Sequence, residues 1–189
     1  MDIGKPHPDK RTRLIETAMN LAYRNGFRET SLADIAQAAH VPVGNVYYYF
    51  KTKEELGEAV VERRLEEFRA DRAEWDRLSS PKGRLLAFVG SVQANREQLA
   101  RGGCALGGLC TELHKEGGAL AKKSAALFTE PMGWLEEQFR AAGHEEDARE
   151  LSVRLFCAFQ GMAAVAHAAN DPDLVVMEVK RLKDWIGTL

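Results

Sequence analysis

The sequence predicts an all-α protein of about nine helices, built as an N-terminal three-helix head followed by a larger C-terminal helical domain. Three observations predict it. Apolar residues recur at helical spacing from Leu14 to Leu189, while alternating, strand-like stretches are scarce. Glycines and prolines punctuate these periodic segments where helices should stop. Residues 30–56, TSLADIAQAAHVPVGNVYYYFKTKEEL, hold two short helical patterns joined by a tight turn, then a capped helix that opens on lysine.

Residues 10–25 place Leu14, Ala18, Leu21 and Ala22 on one face of a first helix. Gly26 suits the left-handed position past its end, and Phe27 the apolar contact that follows. Thr30 or Ser31 can cap a second helix carrying Leu32, Ile35, Ala36 and Ala39, with His40 and Val41 as the turn. A third helix over 43–49 offers Val46 and then Phe50 to the core. Thr52 begins a fourth, Glu55 completes a T-x-x-E capping box, and Ser79, Ser80 and Pro81 stop it near residue 78. The boundary between a head at 8–68 and a C-terminal domain at 69–189 therefore falls inside a helix, which couples the two mechanically.

Five further helices are expected over about 82–99, 106–115, 119–142, 147–169 and 174–186. Pro131 should kink or break the third of these. The fourth is apolar almost all round from 155 to 169, and a stripe runs along the last. Such helices need cover, so a homodimer is expected through Phe156, Phe159, Ala163, Val175, Val179, Leu182 and Ile186.

The chain has 189 residues, 45% of them hydrophobic, enough for a real core. Its net charge of −2 is unevenly spread: residues 1–53 hold eight Lys/Arg against five Asp/Glu, and the rest 18 against 23. A basic head on an acidic body is compatible with a local surface for a polyanion. Cys104, Cys110 and Cys157 are an odd, unclustered set without CxxC or zinc-finger spacing, so neither a disulfide framework nor a metal site nor a cofactor is expected. The opening MDIGKPHPDKRTR lacks the apolar core of a signal peptide, and the apolar run at 161–169 is far short of a membrane span, so a cytoplasmic protein is expected. No Ser/His/Asp set or carboxylate pair stands out, which argues against an enzyme.

Residues 30–53 fit double-stranded DNA. Three helix N-termini present backbone N–H groups suited to phosphate oxygens; Thr30 and Ser31 add hydroxyls, and Lys53 adds a cation. Tyr47 and Tyr49 can donate phenolic hydrogen bonds to phosphates beside the groove. Val43, Gly44, Asn45 and Tyr48 lie at the start or outer face of the short helix: Asn45 suits adenine, Val43 a thymine methyl, and Gly44 permits close backbone approach. Three successive tyrosines cannot all face one core on a helix, which favours binding over packing.

The shape T-S-L-x-x-I-A-x-x-A-x-V, ending in V-Y-Y-Y-F-K-T-K-E-E-L, resembles the helix-turn-helix of TetR-family transcriptional regulators, with the motif over about 31–50. The resemblance implies an Ω-shaped homodimer whose heads bind a palindromic operator and whose C-terminal domains dimerise and hold a small-molecule pocket. It puts phosphate contacts on Ser31, Tyr47, Tyr49 and Lys53, and base contacts on Val43, Asn45 and Tyr48. This chain departs from the family at His40, where glycine is usual, and at Pro42, where a Ser or Thr cap is common. GGCALGGLCTEL at 102–113 further resembles the GCxLGxLxxEL segment of the branch that includes the LmrA and YxaF repressors.

An apolar or aromatic effector is expected against Phe88, Cys110, Phe128, Met132, Trp134 and Phe159, around the Pro131 kink, although each could equally fill a core. Cys104 and Cys110 as an oxidant sensor, or a helical interaction module without DNA binding, are the alternative readings.

Overall fold

The computed structural model describes residues 9–189, with Glu116 described by its backbone alone; the leader reading of residues 1–8 and the start of the head at residue 8 lie outside them. Among the described residues are eleven α-helices and no strand: α1 Lys10–Asn25, α2 Leu32–Ala38, α3 Val43–Tyr49, α4 Lys53–Trp75, α5 Pro81–Ala94, α6 Arg96–Gly102, α7 Ala105–Glu116, α8 Gly118–Ser124, α9 Ala126–Ala141, α10 Ala148–Ala169 and α11 Asp173–Thr188. The all-α class holds. Two of the nine expected helices are divided, at Asn95 and at Ala125. Pro131 is not a break: it lies buried inside α9, which continues through it at the loss of one backbone hydrogen bond.

The head is set by its caps. Asp9 accepts from Thr12 N at 2.8 Å to start α1, and Gly26, at φ 89°, ends it. Ser31 and Asp34 form a reciprocal capping box at α2. His40 takes φ 52°, the left-handed turn that glycine would adopt more cheaply, and Pro42 starts α3 without a side-chain cap. At α4, Thr52 accepts from Glu55 N, while the Glu55 carboxylate returns to Lys51 N at 2.7 Å and not to Thr52.

Two apolar cores result. The first gathers Leu14, Ala18, Phe27, Ile35, Val46, Phe50, Leu56 and Val60 from α1–α4, joined by Leu109, Leu113, Leu120 and Leu127 from α7–α9. At Gly57 these parts approach closely: a Cβ there would lie 2.7 Å from both Phe27 Cζ and Leu120 Cδ2. The second core gathers Phe68, Leu85, Phe88, Trp134, Phe139 and Leu155 with most of α10 and α11.

That second core corrects the expected dimer surface. Phe156, Ala163, Val175, Val179, Leu182 and Ile186 are buried in their own subunit, with Phe159 partly buried against them. The physical reason is α5, which packs on α11 and supplies the cover that the sequence reading assigned to a second subunit. The large apolar side chains left exposed on α10 and α11 are Val153, Val165 and Met177, the last two around a hollow shared with Gly161 and Leu174. By length and composition α10 could cross a bilayer. Here its inward side is packed against α9, α6 and α11, as in the core helix of a helical domain.

Candidate nucleic-acid interface

The outer face of α3 carries Val43 at 46% exposure, Tyr47 at 50% and Tyr48 at 75%. Three large side chains exposed on one seven-residue helix gain nothing from the fold itself. A Cβ on Gly44 would meet nothing within 4 Å, so the protein does not require glycine there for packing. Asn45 is half-buried beside this face. Tyr49 is also half-buried, packed on the head core and edge-on to Tyr48 at 5.0 Å between ring centroids. Val46 and Phe50 anchor the inner side.

The expected phosphate groups divide. Thr30 is buried, and its hydroxyl donates to Gly26 O at 2.8 Å, closing the loop after α1; it is a loop-forming residue and not a surface donor. Ser31 is exposed, but its hydroxyl donates to the Asp34 carboxylate at 2.6 Å. That hydrogen bond and the Ser31 backbone N–H hold Asp34 below the usual carboxylate range. Lys53 Nζ donates to Arg28 O at 2.7 Å and lies 5.0 Å from the centre of the Phe27 ring. Lys51, which the sequence reading passed over, donates to Tyr47 O at 2.9 Å. A phosphate is a stronger acceptor than a neutral carbonyl, so both ammonium groups can exchange partner at little cost.

One carboxylate ties this surface to the rest of the chain. Glu112 of α7 accepts from Phe27 N at 2.8 Å and Arg28 N at 2.6 Å, clasping the loop whose Arg28 carbonyl holds Lys53. Gly26 admits the clasp through its positive φ and its missing Cβ, which would sit 3.2 Å from Glu112 Oε1.

A cavity of about 280 Å3 lies where α1, α4, α5, α9 and α10 converge on the α6–α7 junction. Phe88 and Phe159 line it as expected, and so does Pro131. Trp134 does not: at 1% exposure it stacks behind Trp75, 5.3 Å between centroids, and its Nε1 donates to Asp76 at 3.0 Å. Cys110 and Phe128 line a separate hollow between α7 and α9, and Met132 is packed into the second core. The sequence reading missed Arg64, Glu67, Phe68, Asp71 and Trp75, which bring one face of α4 to the cavity, and Tyr23 from α1. Their three- and four-residue spacing was the available signal. Tyr23, Arg64 and Cys104 also border a hollow of about 180 Å3 that reaches Glu112 and Gly26.

Cys104 stands at the start of α7, its sulfur accepting from Gly107 N at 3.4 Å. Cys110 is buried, and burial pushes its thiol pKa up. Six residues of one helix separate them by about 9 Å. A disulfide needs Cα atoms within about 7 Å, so these two cannot pair while α7 is intact.

A turn-linked pair of short helices, the second presenting an unpacked tyrosine face, makes this a helix-turn-helix DNA-binding protein. Residues 14–60 match the family described as bacterial regulatory proteins, tetR family. The chain is similar to the HTH-type transcriptional repressor ComR of Escherichia coli (strain K12), 27% identical over 86% of this chain and 82% of that protein. It is also similar to the transcriptional regulator AcuR of Cereibacter sphaeroides, 29% identical over 92% of this chain and 70% of that protein. A TetR transcriptional regulator from Legionella pneumophila shares the fold, with a TM-score of 0.82 over 97% of this chain and 98% of that one at 19% identity. Residues 14–60 thus carry the tetR-family pattern, and the chain as a whole shares the fold of TetR transcriptional regulators.

Proposed function

We propose that the chain is a ligand-responsive repressor that binds a palindromic operator as a homodimer and is released when a small, largely apolar effector fills the cavity beside α4. The observation that carries this reading is the exposed Val43, Tyr47 and Tyr48 face on a head that shares α4 with the cavity. ComR, similar over most of the chain, is named a repressor. Dimerisation falls to the exposed faces of α10 and α11, and operator binding places the work in the cytoplasm. The LmrA and YxaF placing rests on residues 102–113 alone.

In this reading Val43, Asn45 and Tyr48 meet base edges, while Ser31, Tyr47, Tyr49 and Lys53, joined by Lys51, meet phosphates. Two such heads read successive major grooves when about 34–36 Å apart, and an effector that fits only another separation shifts the population off DNA. Titrating the protein against the DNA flanking its own gene, with and without competitor, tests the proposal: binding that competitor of any sequence removes equally would sink it.

Lys53→Ala should weaken binding to all sequences and reduce the salt slope by about 0.9, whereas Asn45→Ala should cost about 1–3 kcal/mol at one base position only. Gly44→Ala separates fold from function. The head should gain about 0.5 kcal/mol from helix propensity, because the methyl meets open space, yet operator affinity should fall. Equal or better affinity would show that DNA does not approach the backbone there. Val165→Arg with Met177→Glu should convert dimers to monomers in sedimentation at unchanged helicity.

A redox input through Cys104 is the second reading, favoured by the place of this partly buried thiol at a helix start beside the cavity. Cys104→Ser with unaltered release by oxidant would remove it.

A further inference from the structure

The walls of the cavity differ in what they leave free. Phe68, Trp75, Phe88 and Phe159 form a connected series of rings, with successive centroids 6.1, 5.5 and 5.7 Å apart. Such rings offer electron-rich faces to a positive charge. Several donors nearby are already engaged: the Tyr23 hydroxyl with the carbonyls of Gln98 and Gly103, the Ser91 hydroxyl with Phe88 O, and the Gln160 amide with Cys104 Sγ.

Charge divides the same way. Arg64, the one cation among the described lining residues, is paired with Glu67 at 2.9 Å. Asp71, one helical turn further along α4, meets neither a cation nor a hydrogen-bond donor among the described residues. The cavity is therefore bordered by one solvent-exposed carboxylate that has no protein partner among the described residues. Partial burial and the neighbouring Glu67 charge push the Asp71 pKa up, as expected of a carboxylate without a partner.

We infer that the effector is a small organic cation with a flat apolar body, its rings against Trp75 and Phe88 and its positive charge at Asp71. This rests on the ligand-responsive reading above and narrows it. An anion would find its sole counter-charge already paired and two carboxylates, Glu67 and Asp71, on the same wall. A neutral apolar molecule would meet the rings and gain nothing from Asp71. A cation answers both, gaining attraction from carboxylate and ring faces together.

The test uses the full-length protein and three probes of matched size: phenyltrimethylammonium, its neutral isostere tert-butylbenzene, and the anion phenylacetate, each titrated by calorimetry. The cation should bind at least tenfold tighter than the isostere. Asp71→Asn should erase most of that preference while leaving affinity for the neutral probe and the thermal midpoint unchanged. Equal binding of cation and isostere, tighter binding of phenylacetate, no cation binding at millimolar concentration, or a preference that survives Asp71→Asn would each overturn the inference. The same samples titrated with the DNA flanking the gene keep the outcomes separate. Specific DNA binding with the wrong probe preference rejects the cation and retains the regulator, whereas loss of specific DNA binding rejects the regulator itself.

Discussion

Trp134→Ala should lower the free energy of unfolding by about 3–5 kcal/mol, read from urea denaturation followed by far-UV circular dichroism. The side chain is 1% exposed, and its ring packs 5.3 Å from that of Trp75 and 6.2 Å from that of Phe88. Truncation removes the largest fully buried side chain of the second core and leaves a void whose neighbours, held in rigid helices, cannot collapse into it. Trp134→Phe separates the two parts of the effect. It keeps most of the packing and deletes only the indole N–H bond to Asp76, and since Asp76 still reaches Arg72 at 3.3 Å, the loss should be about 1 kcal/mol plus a smaller packing cost. A Trp134→Ala cost below 1 kcal/mol would mean that this core is not packed as described. Because Trp134 backs Trp75, the alanine variant should also admit larger ligands.

Glu112→Ala should accelerate amide hydrogen exchange at Phe27 and Arg28 by about tenfold to a hundredfold, while exchange in α10 stays as it was. The wild-type carboxylate accepts both consecutive N–H groups, and hydrogen bonds to a charged group are worth about 1.5–3 kcal/mol each, with the lower end fitting this partly exposed site. Removing it frees the loop between α1 and α2, and with it the Arg28 carbonyl that positions Lys53. Operator affinity should therefore change although Glu112 lies on α7, outside the head's own helices. Glu112→Gln, which keeps one good acceptor, should fall between. Unchanged exchange at both amides would show that the clasp is not populated in solution.

Local signals were legible where the reason for an element lies within its own few residues. α1 and α3 have the bounds that capping and periodicity indicate, and His40 lies in the turn expected between two helical patterns, in the left-handed conformation. Long-range commitments were not legible. The stripe Val175, Val179, Leu182 and Ile186 is apolar for a real reason, but periodicity reports that a face is buried and not what buries it; α5 does. Thr30 suits a phosphate as well as it suits the Gly26 carbonyl, and only the folded loop decides. The breaks at Asn95 and Ala125 carry no glycine or proline, so no residue type announced them. The cavity was expected around the Pro131 kink, whereas α4 was read only as the helix that couples the head to the C-terminal domain.

The way the two cores share the chain has a consequence for how it comes apart. Leu109, Leu113 and Leu120 pack with the head, whereas Leu85, Leu155 and Ile186 do not. The melting units therefore follow the cores and not the sequence: α1–α3, the first half of α4, α7 and α8 form one, and α5, α6, α10 and α11 the other, with α9 stitched into both through Leu127 and Trp134. A fragment cut at residue 68 would thus lack part of its own interior. In exchange experiments the segments that open together should be neighbours in space drawn from separate stretches of the polypeptide.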